Sequence, residues 1–208
     1  MRRAFLIMLA TLGLSSQALA QTPNSSGNLA SEIRARLVQP EVLRGEFEQS
    51  KSVPGFAKPL VSRGDFLVSR ERGVLWRTRE PFASELRLTR KEIQARQGGA
   101  VSFKLEADKE PAVKMINGLM FALLAGDVAQ LGELFSLNGQ VQAKSWQLKL
   151  TPKQAALASL LSRIELQGDS HVRRILIDEA NGDQTQIRFS QQSSEPAQLS
   201  ATERARFD

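Results

Sequence analysis

The stretch "SRGDFLVSRERGVLWRTREPF", Ser62 to Phe82, decides the fold of this chain. It reads as two strands joined by a turn. Phe66 and Val68 share one parity on the first strand, Val74 and Trp76 share one on the second, and Arg70, Glu71, Arg72 and Gly73 make the turn. Alternation of this kind gives each strand one wet face and one dry face. Leu67 breaks the pattern, because it stands on the opposite parity from Phe66 and Val68, and its face is ambiguous. The hairpin is rich in polar groups, yet it holds neither a nucleophile beside a base nor a cluster with metal-ligand spacing.

The same period-two pattern extends in both directions. Upstream, Leu43, Gly45 and Phe47 share a parity, and a loop with Pro54, Gly55 and Pro59 follows. Downstream come Leu86 and Leu88, then Ile93 and Ala95, then Val101, Phe103 and Leu105. Short sequential strands with short turns predict an antiparallel meander. A helical segment from about Pro111 to Phe135 interrupts it, with Val113, Ile116, Met120, Leu123 and Leu124 as a broad apolar stripe. Gly118 and Gly126 are places where that helix can bend or stop, and Asp127 is a candidate cap for a second short helix. Strands then resume: Leu137 to Lys144, Trp146 to Thr151, Arg163 to Gln167, and Val172 to Asp178 with Thr185 to Gln191 across the turn "EANGD". At the ends, Leu29, Ile33 and Leu37 predict a helix capped by Asn28, and Ser200 with Glu203 has the spacing of a capping box for a last helix.

The expectation is an α+β fold: roughly ten or eleven strands by the period-two rule in one antiparallel sheet, strongly curved because a sheet this large curls on itself. The residues expected to face inward include Phe47, Phe66, Trp76, Leu86, Leu88, Phe103, Leu105, Trp146, Leu148, Ile164, Ile175, Ile177, Ile187 and Phe189. The inserted helix then either plugs the curled sheet or forms a lid over an apolar pocket. Met115 and Met120 suit the lid, since thioether side chains adapt to variable apolar partners.

Composition limits what such a container does. Residues 1–20 read as a secretory signal peptide: Arg2 and Arg3, an apolar run from Phe5 to Leu14 too short to span a bilayer, and Ala18-Leu19-Ala20 before a mature start at Gln21. Residues 21–208 are expected to form a single domain in the periplasm. The chain has no cysteine, which excludes a disulfide framework and a lipidated cysteine of its own. The net charge of +6, or +4 without Arg2 and Arg3, is scattered among acidic residues rather than gathered in a stripe, which argues against nucleic acid. His171 is the only histidine and adjoins Asp169 and Ser170. Neighbours on a strand alternate faces, and no Gly-x-Ser-x-Gly elbow exists, so no catalytic residue, metal or cofactor is expected.

With these residues in view, the chain resembles the LolA family of periplasmic outer-membrane lipoprotein carrier proteins, as a divergent branch. The resemblance rests on Phe47 and Gln49, Gly64 and Phe66, Arg70, Trp76 and Pro81, and on "WQLKLTPK", Trp146 to Lys153. It implies an incomplete, unclosed β-barrel with an α-helical lid over an apolar cavity. That cavity would take acyl chains of lipoproteins released by an inner-membrane complex and hand them to an outer-membrane acceptor. Expected cavity residues are Phe47, Trp76, Leu86, Leu88, Phe103, Met115, Met120, Leu124 and Trp146. The family's lid-latching arginine matches Arg70. Glu71 stands where the family often has proline, which makes Arg72 a second candidate, and a salt bridge of either arginine to Glu71 is the competing reading. A monomer is expected, and the divergence leaves room for another cargo such as a glycolipid or pigment lipid, or for a lipid-sensing regulator.

Overall fold

The computed structural model describes residues 26–106, 108–109 and 128–208. The expected signal peptide and cleavage site lie outside the described residues, as do Met115, Met120, Leu124 and most of the expected lid helix.

Among the described residues, eleven strands form one antiparallel sheet. The chain enters through α1 (Ser26–Arg36) and makes six strands in sequence: β1 (Val42–Ser52), β2 (Leu60–Ser69), β3 (Gly73–Glu80), β4 (Ser84–Leu88), β5 (Glu92–Gln97) and β6 (Ala100–Glu106). After α2 (Val128–Leu134) come β7 (Phe135–Val141) and β8 (Trp146–Pro152). The short α3 (Ala155–Ala158) leads to β9 (Leu161–Gly168), β10 (Val172–Glu179) and β11 (Gln184–Ser193), and α4 (Ala201–Ala205) ends the chain. The strand order is β6-β5-β4-β3-β2-β1-β11-β10-β9-β8-β7. Two meanders are thus joined where the first strand pairs with the last, and β6 and β7 are the unpaired edges of an incomplete barrel.

The register explains the alternation. Phe47 pairs with Phe189 and Gly64, Phe66 with Trp76, Trp76 with Leu86, and Leu86 with Ala95, which in turn pairs with Phe103. On the other half, Ile187 pairs with Ile175, Ile175 with Leu166, and Leu166 with Leu148. All the residues expected to face inward therefore share one face. Leu29, Ile33 and Leu37 of the α1 stripe and Leu131 of α2 join the same buried cluster, and α1 packs on β7 and α2.

Some expectations change. Helix α1 already runs at Ser26, so Asn28 sits inside it and its Nδ2 donates to Glu32 Oε1 at 2.7 Å instead of capping. A register shift between Ala95 and Arg96 sets Val101 opposite Arg96, off the parity of Phe103. Leu67 faces outward, where Val42, Leu75 and Phe207 form a second buried cluster with Leu199. The C-terminal segment is the cover of that outer cluster. Its helix has the expected capping box: Ser200 Oγ accepts the Glu203 N–H at 3.2 Å, and Glu203 Oε2 accepts the Ser200 N–H at 2.8 Å.

Candidate functional site

Gly64 creates the centre of the inner face. It lies on β2 between Phe47 of β1 and Thr78 of β3. A Cβ at Gly64 would run into the Arg77 carbonyl and lie 2.8 Å from the Phe47 ring. With no side chain there, Phe47 reaches over β2 and stacks on Trp76 at 3.7 Å between ring centroids, 24° from parallel. Phe66 and Phe189 close the group, edge-on to each other at 5.3 Å, with Trp76 edge-on to Phe189 at 6.1 Å. Aromatic pairs in these geometries contribute about 0.5–1.5 kcal/mol each beyond area burial.

Three zones follow one another along the inner face of the first meander. Leu43, Val68, Val74, Leu88 and Ile93 are buried at the end nearer the β2–β3 turn. The aromatic group is in the middle, and across β3 to β6 it continues into Trp76 and Leu86, which are half-buried, and Phe103, which is 45% exposed. Beyond it, Gln49, Ser62, Thr78, Ser84 and Gln97 lie on the same parity across five adjacent strands. A cavity of about 290 Å³ opens here, lined by Trp76, Leu86 and Ala95, by these neutral polar side chains, and by Glu85, Arg96 and Ser102. A groove of similar volume on β7–β9 is lined by Gln147, Lys149, Glu165 and Gln167 and has no aromatic wall.

The nearest inward charges are one lysine and two acids, paired with one another. Lys51, the next inward residue of β1, bonds Glu179 at 2.8 Å and Asp183 at 2.9 Å, and Thr185 Oγ1 donates to Glu179 at 3.1 Å. The "EANGD" turn holds the acids in place: Asn181 Oδ1 accepts the Asp183 N–H at 3.0 Å. The hydrogen bond from Lys51 is the main cause lowering the Asp183 carboxyl, and the same contacts raise the Lys51 ammonium, bonding to Glu179 foremost.

The other site residues named from the sequence fall in different places. Trp146 is buried, its ring is packed beneath Gly168, and its indole N–H donates to the Asp169 carbonyl at 2.7 Å, all in the second meander. Leu88 is buried at the apolar end. Arg70 and Arg72 sit at the β2–β3 turn, at the opposite end of the strands from the cavity. Neither turns to Glu71. Arg70 Nη2 donates to Gln39 Oε1 at 2.7 Å, and Arg72 Nη1 meets Asp208 Oδ1 at 3.0 Å.

His171 adjoins a hydroxyl, with Ser170 Oγ 3.1 Å from its Nδ1, and burial lowers its imidazole. Asp169, however, spends its carboxylate on the His171 backbone N–H and on Arg173 rather than on the ring. A base without an orienting acid lacks the third member of a triad. Among the described residues, no group of three or more His, Cys, Asp or Glu could hold a metal ion, and no helix is long and apolar enough to cross a membrane.

A container with an aromatic wall and two unpaired edges has relatives. Residues 22–206 match the family described as outer membrane lipoprotein carrier protein LolA-like. The chain belongs to this LolA-like family. A DUF1329 family protein from Desulfovibrio piger is similar in structure, with TM-score 0.51 and 13% identity over 88% of this chain and 95% of that one. A LolA superfamily protein from Nitrosomonas europaea is similar with TM-score 0.46 and 10% identity, over 81% of this chain and 92% of that one. No curated protein matches the sequence. At 13% identity the likeness to the Desulfovibrio piger protein speaks to the fold alone. Sequence reasoning missed the polar row of the LolA-like sheet, because its members are ordinary alternating residues whose alignment appears only once the register is known.

Proposed function

We propose that this LolA-like chain is a periplasmic carrier that shields lipid acyl chains from water on the inner face of its sheet. One observation supports the reading most directly. Trp76, Leu86, Phe103 and Leu105 lie on the core-facing parity, yet they stay half-buried or exposed, and Trp76 and Leu86 line a cavity. An apolar face that the protein leaves open on its inner side suits an apolar guest.

Carriage of this kind needs no covalent step. A C16 chain moved out of water gains on the order of 0.8 kcal/mol per CH₂, about 10 kcal/mol gross. The guest is the acyl part of a lipoprotein or of another lipid, received from an inner-membrane release complex and delivered to an outer-membrane acceptor by a monomeric protein. Arg70, an exposed guanidinium at the turn, is the position proposed to govern release, with Arg72 as its alternative.

Native mass spectrometry and solvent extraction of protein purified from its own periplasm test the carrier reading. Stoichiometric acyl lipid is the expected result. Lipid-free protein that also fails to bind a fluorescent fatty-acid probe would sink the proposal.

A further inference from the structure

We infer that the cavity beyond the aromatic wall holds the head group of the carried lipid, and that it selects an uncharged, hydroxyl-rich head, a glycosyl group. The inference rests on the acyl-carrier reading and adds a chemical class to it.

Continuity is the first ground. Trp76 and Leu86 form both the end of the apolar zone and a wall of the cavity, so a single occupant spans both and must be amphiphilic. Size is the second. A volume of about 290 Å³ has room for about ten water molecules at bulk density, which suits a sugar ring and is too small for a long acyl chain.

The third ground is hydrogen-bonding chemistry. Gln49, Ser62 and Ser84 are half-buried, Thr78 likewise, and none of them nor Gln97 has a side-chain hydrogen-bond partner among the described residues. Amides and hydroxyls both donate and accept, as sugar hydroxyls do. Partly buried polar groups without partners cost stability unless a ligand or water satisfies them, so the row is equipped for a guest with many small donors and acceptors.

Charge is the fourth. The inward cation at this end, Lys51, is held between two carboxylates and is not free for a phosphate. Glu85, Arg96 and Ser102 complete the lining; Glu85 is committed to Arg206 on the outer face, and Arg96 is exposed. The inward-parity charges, Lys51 with Glu179 and Asp183, leave one net negative charge, and Arg96 is the cavity's cation against which the phosphatidylglycerol arm of the test is set.

The test is displacement of a bound fluorescent fatty acid by three lipids with identical acyl chains: a monoglycosyl diacylglycerol, phosphatidylglycerol, and headless diacylglycerol. The glycosyl lipid is expected to displace the probe at about tenfold lower concentration than either of the others, since two retained hydrogen bonds suffice for that ratio. In Gln49→Leu and, separately, in Ser84→Ala, the ratio is expected to fall toward one. Equal displacement by all three lipids, a preference for phosphatidylglycerol, or a preference that survives both substitutions overturns the head-group site while leaving the carrier reading in place. A probe that never binds overturns the carrier reading, and the head-group site with it.

Discussion

Replacing Glu203 with Gln tests whether the C-terminal segment fastens the outer face of the sheet's aromatic half. Glu203 takes a two-point contact from Arg44 of β1, Nε to Oε1 at 2.7 Å and Nη2 to Oε2 at 2.9 Å. Arg44 also donates to the carbonyls of Pro196 and Gln198 at 2.8 and 3.1 Å. Fork-to-fork pairs of this kind are among the stronger polar contacts. The hydrogen bond from Arg44 is the main reason the Glu203 carboxyl falls from 4.5 to about 2. Converted in full, that shift is about 3 kcal/mol. Each side chain keeps just over a fifth of its surface in water, and screening reduces the contribution to about 1–2 kcal/mol.

Gln is the informative replacement because it can keep the capping box with Ser200 while removing the charge. At pH 7 the variant is expected to unfold at about 0.5–1 M lower urea, for an m-value near 2 kcal/mol per M. A lowered carboxyl pKa gives stability that is whole above 4.5 and is lost as the pH falls toward 2. The gap between wild type and variant should therefore close across that window. Urea titrations at pH 7, 4 and 2.5, followed by tryptophan emission, measure it. Equal midpoints at pH 7, or a gap that stays constant down to pH 2.5, refute the charge-based fastening.

Two further substitutions bear on the site. Gly64→Ala forces a methyl group into the Arg77 carbonyl and the Phe47 ring; we expect a loss of about 2–4 kcal/mol or failure to fold, and an unchanged thermal midpoint would show that the slot between β1 and β3 is not what seats the Phe47–Trp76 stack. Arg70→Leu gives up one exposed hydrogen bond to Gln39 and should cost under about 1 kcal/mol, while slowing or trapping lipid hand-off to an acceptor; wild-type transfer kinetics would remove Arg70 from the release step.

The inner face was legible because its signal is local. Alternation survives in most strands from Phe47 to Phe189, and it places Trp76, Leu86 and Phe103 on one parity, though it leaves the strand of Phe66 and Leu67 ambiguous. The capping box at Ser200 and Glu203 and the "EANGD" turn were legible for the same reason, since both involve residues within four positions. The outer cluster was not. Leu67 looks like an error of phase until Phe207, at the far end of the chain, arrives to cover it. The fate of Arg70 and Arg72 was equally hidden. Their sequence neighbour Glu71 is the obvious partner on paper, yet the turn sends one guanidinium to Gln39 and the other to Asp208. The polar row needs five strands in register, and no window of sequence contains it.

The order of the zones along the sheet carries a consequence for release. A site that was apolar throughout would hold an acyl chain by burial alone, and the gross gain would grow with every methylene. Here the aromatic wall opens toward β6, an edge strand whose inward Phe103 and Leu105 stay 45 and 38% exposed. A guest lying against them buries less surface than one enclosed on all sides, and its affinity falls accordingly. Exposed apolar residues on an edge strand are an aggregation liability, which Lys104, paired with Glu92 on the outer parity, only partly offsets. That liability is intelligible if the face is meant to be occupied. The neutral polar row then adds specificity with little increase in grip, because each hydrogen bond exchanges with water at small net gain. Such a site discriminates between lipids by their heads while keeping the tail exchangeable, as a carrier that must let go requires.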